Sequence, residues 1–258
     1  MEDNGRFRGL RRFNAVMAVM HLAQAIVIFV MSNDYTVTGT TSLLTWSKAT
    51  DSLETTIKDL IDFPLGPMVA VFLLISAVAH AIMASPWYFP RYVRNLKEGI
   101  NYLRWYEYAL SASLMVVLIA LLSGVFDVPS LIMMFTLTAT MNFFGLMMEL
   151  NNRGSVQVKW SPFVFGCIAG IVPWIIMAWY FFGALSASAE TIPTFVYFIL
   201  GILFVFYCTF AVNMLLQYKK AGRWRDYLFG EKVYMILSLT AKSALAWQVF
   251  GGTLAGPV

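Results

Sequence analysis

A lysine lies inside an apolar stretch long enough to span a bilayer. The stretch runs from Glu231 to Phe250, and Lys242 stands a little past its midpoint, about 12 Å from the nearer end at 1.5 Å per residue of helix. An ammonium at this depth costs roughly 2.5–3.5 kcal/mol on insertion scales, so intramembrane lysines are usually retained for function. An amine shielded from water is a nucleophile that forms a Schiff base with an aldehyde. The alternative interpretation is a structural lysine that pairs with a carboxylate between helices.

Glu107 is the carboxylate best placed to pair with Lys242, because it lies well inside an apolar segment and away from its ends. It stands about 12 Å along a helix that begins near Gly99, and Lys242 stands about 16 Å along a helix that begins at Glu231. The two charged groups reach a similar depth if these helices are neighbours. A lone acid and a lone amine inside a membrane are natural partners, so the spacing predicts a buried ion pair.

The two histidines of the chain are placed toward the same side of the membrane as Glu107. Since histidine changes its charge near neutral pH, a pair of them there predicts a proton-accepting cluster. A single histidine in a helix is more often a packing residue, and this alternative stays open for each. A metal site is not expected, because neither histidine has a carboxylate or cysteine at ligand spacing. The predicted polar cavity on the cytoplasmic side contains His21, His80, Asn101, Arg104 and Glu149.

The composition places the chain in a lipid bilayer. Of the 258 residues, 59% are hydrophobic and only 12% are charged, whereas soluble domains carry about 25% charged residues. Both cysteines, Cys167 and Cys208, fall in apolar segments, so no disulfide is expected. Seven apolar segments have a length close to a bilayer span, which predicts an all-α seven-helix bundle as a single membrane domain over residues 1–258. The segments are 11–31, 64–84, 99–123, 129–149, 162–183, 192–216 and 231–250.

The basic residues are distributed unequally between the two sides of this predicted bundle. Of the 18 lysines and arginines, Lys48 and Lys58 fall on one side, Lys242 falls within a span, and all others fall on the side of the N-terminus. The positive-inside rule therefore predicts a cytoplasmic N-terminus and, with seven spans, an extracellular C-terminus. The first span lacks a small-residue cleavage site, so we expect a retained helix and no signal peptide. Topology accounts for the net charge of +4, which is no indication of nucleic-acid binding.

Residues 32–63 form the one long predicted loop, on the extracellular side. The segment YTVTGTTSLLTW is rich in threonine, valine and aromatic residues around Gly39, which predicts a short hairpin. From Ser52 to Asp62 the apolar residues have helical spacing behind a serine cap, which predicts a short helix. We expect a folded cap over the extracellular mouth or a contact between subunits; the alternative is a loosely ordered loop.

The predicted extracellular half of the bundle lacks ionisable groups. None occurs from Ser111 to Leu122 or from Leu131 to Met141. An ion or proton that crosses the membrane needs relay groups on both sides of the central site. The sequence therefore argues against a pump, although chains of water could still bridge the apolar half.

These features together resemble one family of membrane proteins. Seven spans, a lysine in LSLTAKSALAW of the seventh span and a glutamate three residues after an arginine in RWYEYALSAS of the third are similar to microbial retinal proteins. The reversed orientation is similar to that of the heliorhodopsins. The resemblance covers essentially the whole chain. It implies all-trans retinal attached to Lys242 as a Schiff base, with Glu107 as the counterion.

The resemblance also implies a retinal pocket by position. Ser238, one turn before Lys242, and Leu118 replace carboxylates that pumping relatives carry, and both differences weaken a pumping function. Without the family, the pocket residues are ordinary core residues. The implied pocket residues are Tyr108, Ser111, Ala112, Met115, Met141, Gly145, Phe206 and Asn213.

The function implied is a light sensor, not an enzyme. Photoisomerisation of retinal would change the geometry of the Schiff base, the cytoplasmic polar cluster would accept the proton, and the cytoplasmic face would signal to an unidentified partner. Heliorhodopsins are generally homodimers, so a homodimer in the bilayer is expected. Two alternatives remain open: a light-driven ion transporter or channel, and a retinal-free transporter in which Lys242 and Glu107 form an ion-coupled site.

Overall fold

A computed structural model describes residues 2–187 and 194–254 of the chain. Within these ranges, seven helices are long and apolar enough to cross a membrane. They confirm the predicted seven-helix bundle, although residues 192 and 193 of the predicted sixth span and the C-terminal residues 255–258 lie outside the described ranges. The seven helices are α1 (Glu2–Met31), α2 (Leu65–Ala84), α4 (Tyr102–Leu122), α5 (Val128–Asn152), α6 (Ser161–Ala187), α7 (Thr194–Tyr218) and α8 (Tyr227–Val249).

Side-chain caps determine where three of the helices begin. Asn101 accepts a hydrogen bond from the backbone N–H of Arg104 at the start of α4, and Asp127 accepts one from Ser130 at the start of α5. Asp226 caps α8 through the N–H of Leu228. Such caps satisfy N–H groups that the first turn leaves unpaired. The cap at Asp226 makes α8 begin one turn earlier than the sequence predicted.

Two short helical segments join spans at one end of the bundle, which we call the basic end. Helix α3 (Phe89–Lys97) connects α2 with α4, and a 3₁₀ turn (Gly222–Arg225) connects α7 with α8. Helix α3 packs Tyr92 and Leu96 against the start of α1 in a small apolar cluster. The basic end therefore has its own core, separate from the main one.

The predicted extracellular loop is a β-hairpin. Strands β1 (Thr36–Ser47) and β2 (Ser52–Pro64) are antiparallel, with Trp46 opposite Leu53. The short hairpin predicted around Gly39 is wrong, because Thr36–Ser47 is one strand with only a register shift after Gly39. The helix predicted over Ser52–Asp62 is also wrong, because this segment is the strand that pairs with β1. Its β-branched residues suit a strand, and the backbone groups on its inner edge are satisfied by pairing with β1.

The hairpin is attached to the end of the bundle opposite the basic end. The backbone N–H of Thr40 donates to the carbonyl of Phe126 at 2.8 Å, in the connection between α4 and α5. Asn33 donates through Nδ2 to the carbonyl of Thr253 at 3.1 Å, just beyond α8. The hairpin and the segment that leads into it therefore join three spans.

The main core lies between the hairpin and the middle of the bundle, and α4 is the most buried of the spans. Val116 to Leu121 of α4 form a continuous buried apolar run there, flanked by Phe72 of α2 and Leu245 of α8. Leu118 is completely buried in this core. Below it, toward the basic end, buried polar side chains become frequent.

Candidate functional site

Lys242, Glu107 and Ser76 form a compact polar cluster in the middle of the bundle. The Nζ atom of Lys242 lies 2.5 Å from Oε1 of Glu107 and donates to Oγ of Ser76 at 2.6 Å. Ser76 in turn donates to Oε1 of Glu107 at 2.6 Å. All three side chains are buried. The structure thus brings together the lysine and glutamate that the sequence paired, and it adds a serine from α2 that the sequence did not indicate.

Glu107 is held by donors from its own helix as well. Ser111, one turn further along α4, donates to Oε1 of Glu107 at 2.7 Å. That carboxylate oxygen is therefore shared by Lys242, Ser76 and Ser111. Hydrogen bonds to an ionised carboxylate are stronger than neutral ones, and together they hold a negative charge at a fixed place in an apolar region.

An apolar cavity of about 720 Å³ adjoins Lys242. Its walls come from five helices, α4 to α8. The aromatic lining includes Trp105, Trp174 and Phe210, and Lys242 supplies the ammonium group in the wall. Volumes of this order are typical of sites for small molecules. Of the residues predicted for a pocket, those that line the cavity are Tyr108, Ala112, Met115, Met141, Gly145 and Ser238, together with Lys242.

Three predicted pocket residues lie elsewhere. Ser111 is turned toward Glu107. Phe206 packs against the main core. Asn213 donates to the carbonyl of Gly230 at 3.2 Å and accepts from Nε1 of Trp224 at 2.6 Å, so it ties α7 to the start of α8. For Phe206 and Asn213 the sequence predicted correctly that α7 borders the cavity, but it did not predict which face of α7 does so.

His21 and His80 are stacked against each other. Their ring centroids are 5.7 Å apart with an interplanar angle of 7°. Nδ1 of His80 lies 2.8 Å from Oδ1 of Asn14, whereas neither ring nitrogen of His21 has a hydrogen-bond partner within the described part of the chain. His80 follows Ser76 by one turn of α2, and Ser76 contacts Lys242. The structure therefore places the two predicted histidines together and near the lysine cluster.

A second buried charge cluster, the Arg104 cluster, lies toward the basic end. The guanidinium of Arg104 forms ion pairs with Glu149 of α5 and Glu231 of α8. Asn101 donates to Glu231 at 2.5 Å, and Nε1 of Trp105 donates to Glu149 at 2.5 Å. The sequence predicted Asn101, Arg104 and Glu149 as parts of a hydrated cavity. The three residues contact one another directly, and the hydration of this region stays a prediction.

Glu231 was missed as a member of this cluster because it was taken as the boundary of the last span. Helix α8 begins at Tyr227, so Glu231 faces the interior and is almost completely buried. Tyr92 of α3 was missed too, and it donates to Oε1 of Glu231 at 3.2 Å. Asp226, five residues before the predicted start of the span, was the available signal for the earlier helix start.

The comparison with protein families decides what kind of bundle this is. A family model described as Heliorhodopsin matches residues 10–254. The chain belongs to the heliorhodopsin family. The match includes every helix that contributes to the lysine cluster, the cavity and the histidine pair. No curated protein matches the sequence. The protein is a multi-pass membrane protein, and membership in the heliorhodopsins implies a retinal chromophore.

The residues of this heliorhodopsin fit a retinal group. The cavity is lined by apolar and aromatic side chains, which suits a polyene, and Lys242 offers an amine in its wall. Gly145 is required where α5 borders the cavity, because a Cβ atom there would overlap the ring of Trp105. Retinal bound as a Schiff base needs an apolar space for the polyene, an amine for attachment and a carboxylate near that amine. The cavity, Lys242 and Glu107 meet these three needs.

Proposed function

We propose that this heliorhodopsin is a light-sensing photoreceptor that carries all-trans retinal on Lys242. The observation that carries the proposal is the position of the Lys242–Glu107–Ser76 cluster beside the apolar cavity. An amine paired with a carboxylate inside a membrane is costly unless it is used. Retinal bound there would supply absorption of visible light and isomerisation of a double bond.

The residues of the chain would hold the chromophore as follows. Lys242 would bind it through Nζ as a protonated Schiff base, and Glu107 would supply the counter-charge. Ser76 and Ser111 hold the carboxylate of Glu107 in position through its Oε1 atom. Trp105, Tyr108 and Met115 would confine the polyene in the cavity and exclude water from it.

The histidine pair supports a sensing function. His21 and His80 lie toward the basic end, where they would accept a proton that leaves the Lys242 end of the cavity. On the other side, the buried run from Val116 to Leu121 contains no ionisable residue. A proton accepted by the histidines would therefore return by the same route, so a sustained current is not expected.

The distribution of charge supports an orientation for signalling. Nearly all basic residues outside the spans lie at the basic end, so the proposed orientation places this end in the cytoplasm. The cytoplasmic surface would then contact a signalling partner, and two copies of the chain would form the homodimer expected of this family.

Retinal reconstitution tests the proposal. The purified protein, incubated with all-trans retinal, should develop an absorption band in the visible range. Lys242→Ala should abolish this band, because the reacting amine is removed. Lys232→Ala is the matched control, since Lys232 lies on the same helix but is exposed, and it should retain the band. A visible band in correctly inserted Lys242→Ala protein would contradict the proposed attachment.

A further inference from the structure

Asn14 connects the histidine pair with the Arg104 cluster. This residue of α1 is completely buried, and its amide contacts three groups. Nδ2 donates to the carbonyl of Leu10 at 3.1 Å and lies 3.4 Å from the hydroxyl of Tyr92, while Oδ1 faces Nδ1 of His80 at 2.8 Å. Tyr92 continues the connection to Glu231.

The hydrogen-bonding chemistry of these groups determines where the hydrogen atoms are. A backbone carbonyl only accepts, so the NH₂ group of Asn14 must face Leu10, and Oδ1 must face His80. An amide oxygen also only accepts, so Nδ1 of His80 carries a hydrogen. In a neutral imidazole only one nitrogen carries a hydrogen, and Nε2 of His80 is therefore the atom with the free lone pair.

We propose that Asn14 is a positioning residue that holds His80 as the Nδ1–H tautomer and thereby makes Nε2 the atom at which the histidine pair takes up a proton. The inference rests on the proposed function of the pair as proton acceptor. In the uptake step the bond between the proton and Nζ of Lys242 breaks and leaves its electron pair on Nζ, while the lone pair of Nε2 forms one new N–H bond. The return step reverses both changes.

Asn14 also limits how far this proton travels. The next group along the connection is the hydroxyl of Tyr92, and burial raises the pKa of this phenol well above its usual value, with Glu231 adding to the effect. Tyr92 therefore remains a hydrogen-bond donor to Glu231. A carboxamide passes on a proton only through its high-energy imidic acid form, so Asn14 transmits orientation but not the proton. The charge consequently stays on the histidine pair.

The groups that face this pair come from several helices. His21 lies on α1, Glu107 on α4 and Lys242 on α8, and Tyr92 of α3 lies beyond Asn14. Glu107 and Lys242 bring opposite charges to the surroundings of the pair. Asn14 is the group that contacts Nδ1 of His80, and this contact sets the tautomer.

Nitrogen-15 NMR of the full chain in lipid, prepared without retinal and labelled at histidine, tests the tautomer directly. The chain has two histidines, so a His21→Phe sample assigns the His80 signals. We expect a protonated Nδ1 and an unprotonated Nε2 at neutral pH. A His80 with its hydrogen on Nε2 would overturn the proposal, and this measurement needs no variant of Asn14.

Variants of Asn14 test the cause. Asn14→Leu should lose the preference for Nδ1–H, whereas Asn14→Asp should keep it, because a carboxylate still accepts at the same place. Gln24→Leu is the control on the same helix, since Gln24 lies one turn from His21 but its side chain accepts from Trp247 and donates to the carbonyl of Met20. A preference for Nδ1–H that survives in Asn14→Leu would overturn the proposal.

Kinetic measurements on the retinal-loaded protein separate this inference from the proposed function. If His80→Phe leaves the light-induced kinetics unchanged, the acceptor function is wrong, and the assignment of Nε2 as uptake atom fails with it. If His80→Phe alters the kinetics but the NMR spectrum shows Nε2–H, only the inference about Asn14 fails. With both results as expected, Asn14→Leu should also change the kinetics of proton uptake, and Gln24→Leu should not.

Discussion

Ser76 and Glu107 lie on different helices, yet the hydroxyl oxygen of Ser76 is 2.6 Å from Oε1 of Glu107. The same hydroxyl accepts from Lys242, so a neutral group from α2 contacts both members of the ion pair. Helix α2 is thereby linked to the proposed attachment site on α8 and to the carboxylate on α4. A change in the charge distribution of the pair would act on three spans at once.

Glu107→Gln should shift the visible band to longer wavelength and make the protein lose its colour at a lower pH than the unmodified pigment. Without the carboxylate, the protonated form of the Lys242 linkage loses its buried counter-charge and gives up its proton more readily. The ground state of the chromophore has its positive charge near the nitrogen, so it loses more stabilisation than the excited state does. The remaining protonated pigment therefore absorbs at longer wavelength. A pH titration of the visible band, repeated with chloride varied, measures both effects.

Glu98→Gln is the control for this titration, because Glu98 is partly exposed and pairs with Arg153 at the basic end. It should leave both the band and the titration midpoint unchanged. If Glu107→Gln matched the unmodified protein without added anions, Glu107 would not be the counterion. His21→Ala and His80→Ala should change the kinetics more than the colour, since neither residue supplies a negative charge.

Ser76→Ala should shift the visible band by less than Glu107→Gln does. The substitution removes a neutral hydrogen-bonding group and leaves the charge of Glu107 in place. Ser113→Ala is a matched control, because Ser113 is equally buried on α4 but donates to the carbonyl of Ala109 in its own helix. Absorption spectra of Ser76→Ala, Ser113→Ala and Glu107→Gln measure the band shift of each variant, and Ser113→Ala should show none. A shift in Ser76→Ala as large as that in Glu107→Gln would contradict the prediction.

Illuminated cells that contain the retinal-loaded protein should show no sustained, protonophore-sensitive change of pH. The reason is the buried apolar run from Val116 to Leu121, which offers no ionisable relay toward the hairpin end. A light-driven proton pump in the same cells provides the positive control. A steady light-driven current at zero voltage would show that protons or ions do cross this region.

Arg104→Gln should lower the free energy of unfolding by about 3–5 kcal/mol, because it leaves the buried carboxylates of Glu149 and Glu231 without their cation. Arg153→Gln is the control. Its ion pair with Glu98 is about half exposed at the arginine, and such pairs contribute about 0–1 kcal/mol. Unfolding in mixed detergent micelles measures both. Equal losses in the two variants would show that the Arg104 cluster does not stabilise the bundle.

Hydropathy and isolated charges were sufficient to predict the seven spans and the pairing of Lys242 with Glu107. Inside a bilayer a charge is costly, so its position in the sequence carries strong information. Ser76 carried no such signal, because a serine in a transmembrane helix costs little and more often bonds to its own backbone. Only the packing of α2 against α4 reveals that this serine reaches Glu107.

Two other differences have local causes. Helical spacing of Leu53 and Ile57 predicted a helix, but pairing of β2 with β1 overrides a weak periodicity in a segment that is exposed on both faces. Glu231 was placed at a membrane boundary because hydropathy detects where an apolar run starts, not where a helix starts. Its buried position depends on its ion pair with Arg104, which no property of the isolated segment indicates.

The attachment of the hairpin has a mechanical consequence. Thr40 of the hairpin bonds to the connection between α4 and α5, whereas Asn33 and Tyr35, in the segment that leads into the hairpin, bond to the end of α8 and to the first N–H of α2. A strain that arises in the cavity would therefore be resisted at this end by backbone hydrogen bonds, and at the basic end by side-chain contacts. There the ion pairs of Arg104 are the connections that a tilt of α8 against α4 and α5 would lengthen first.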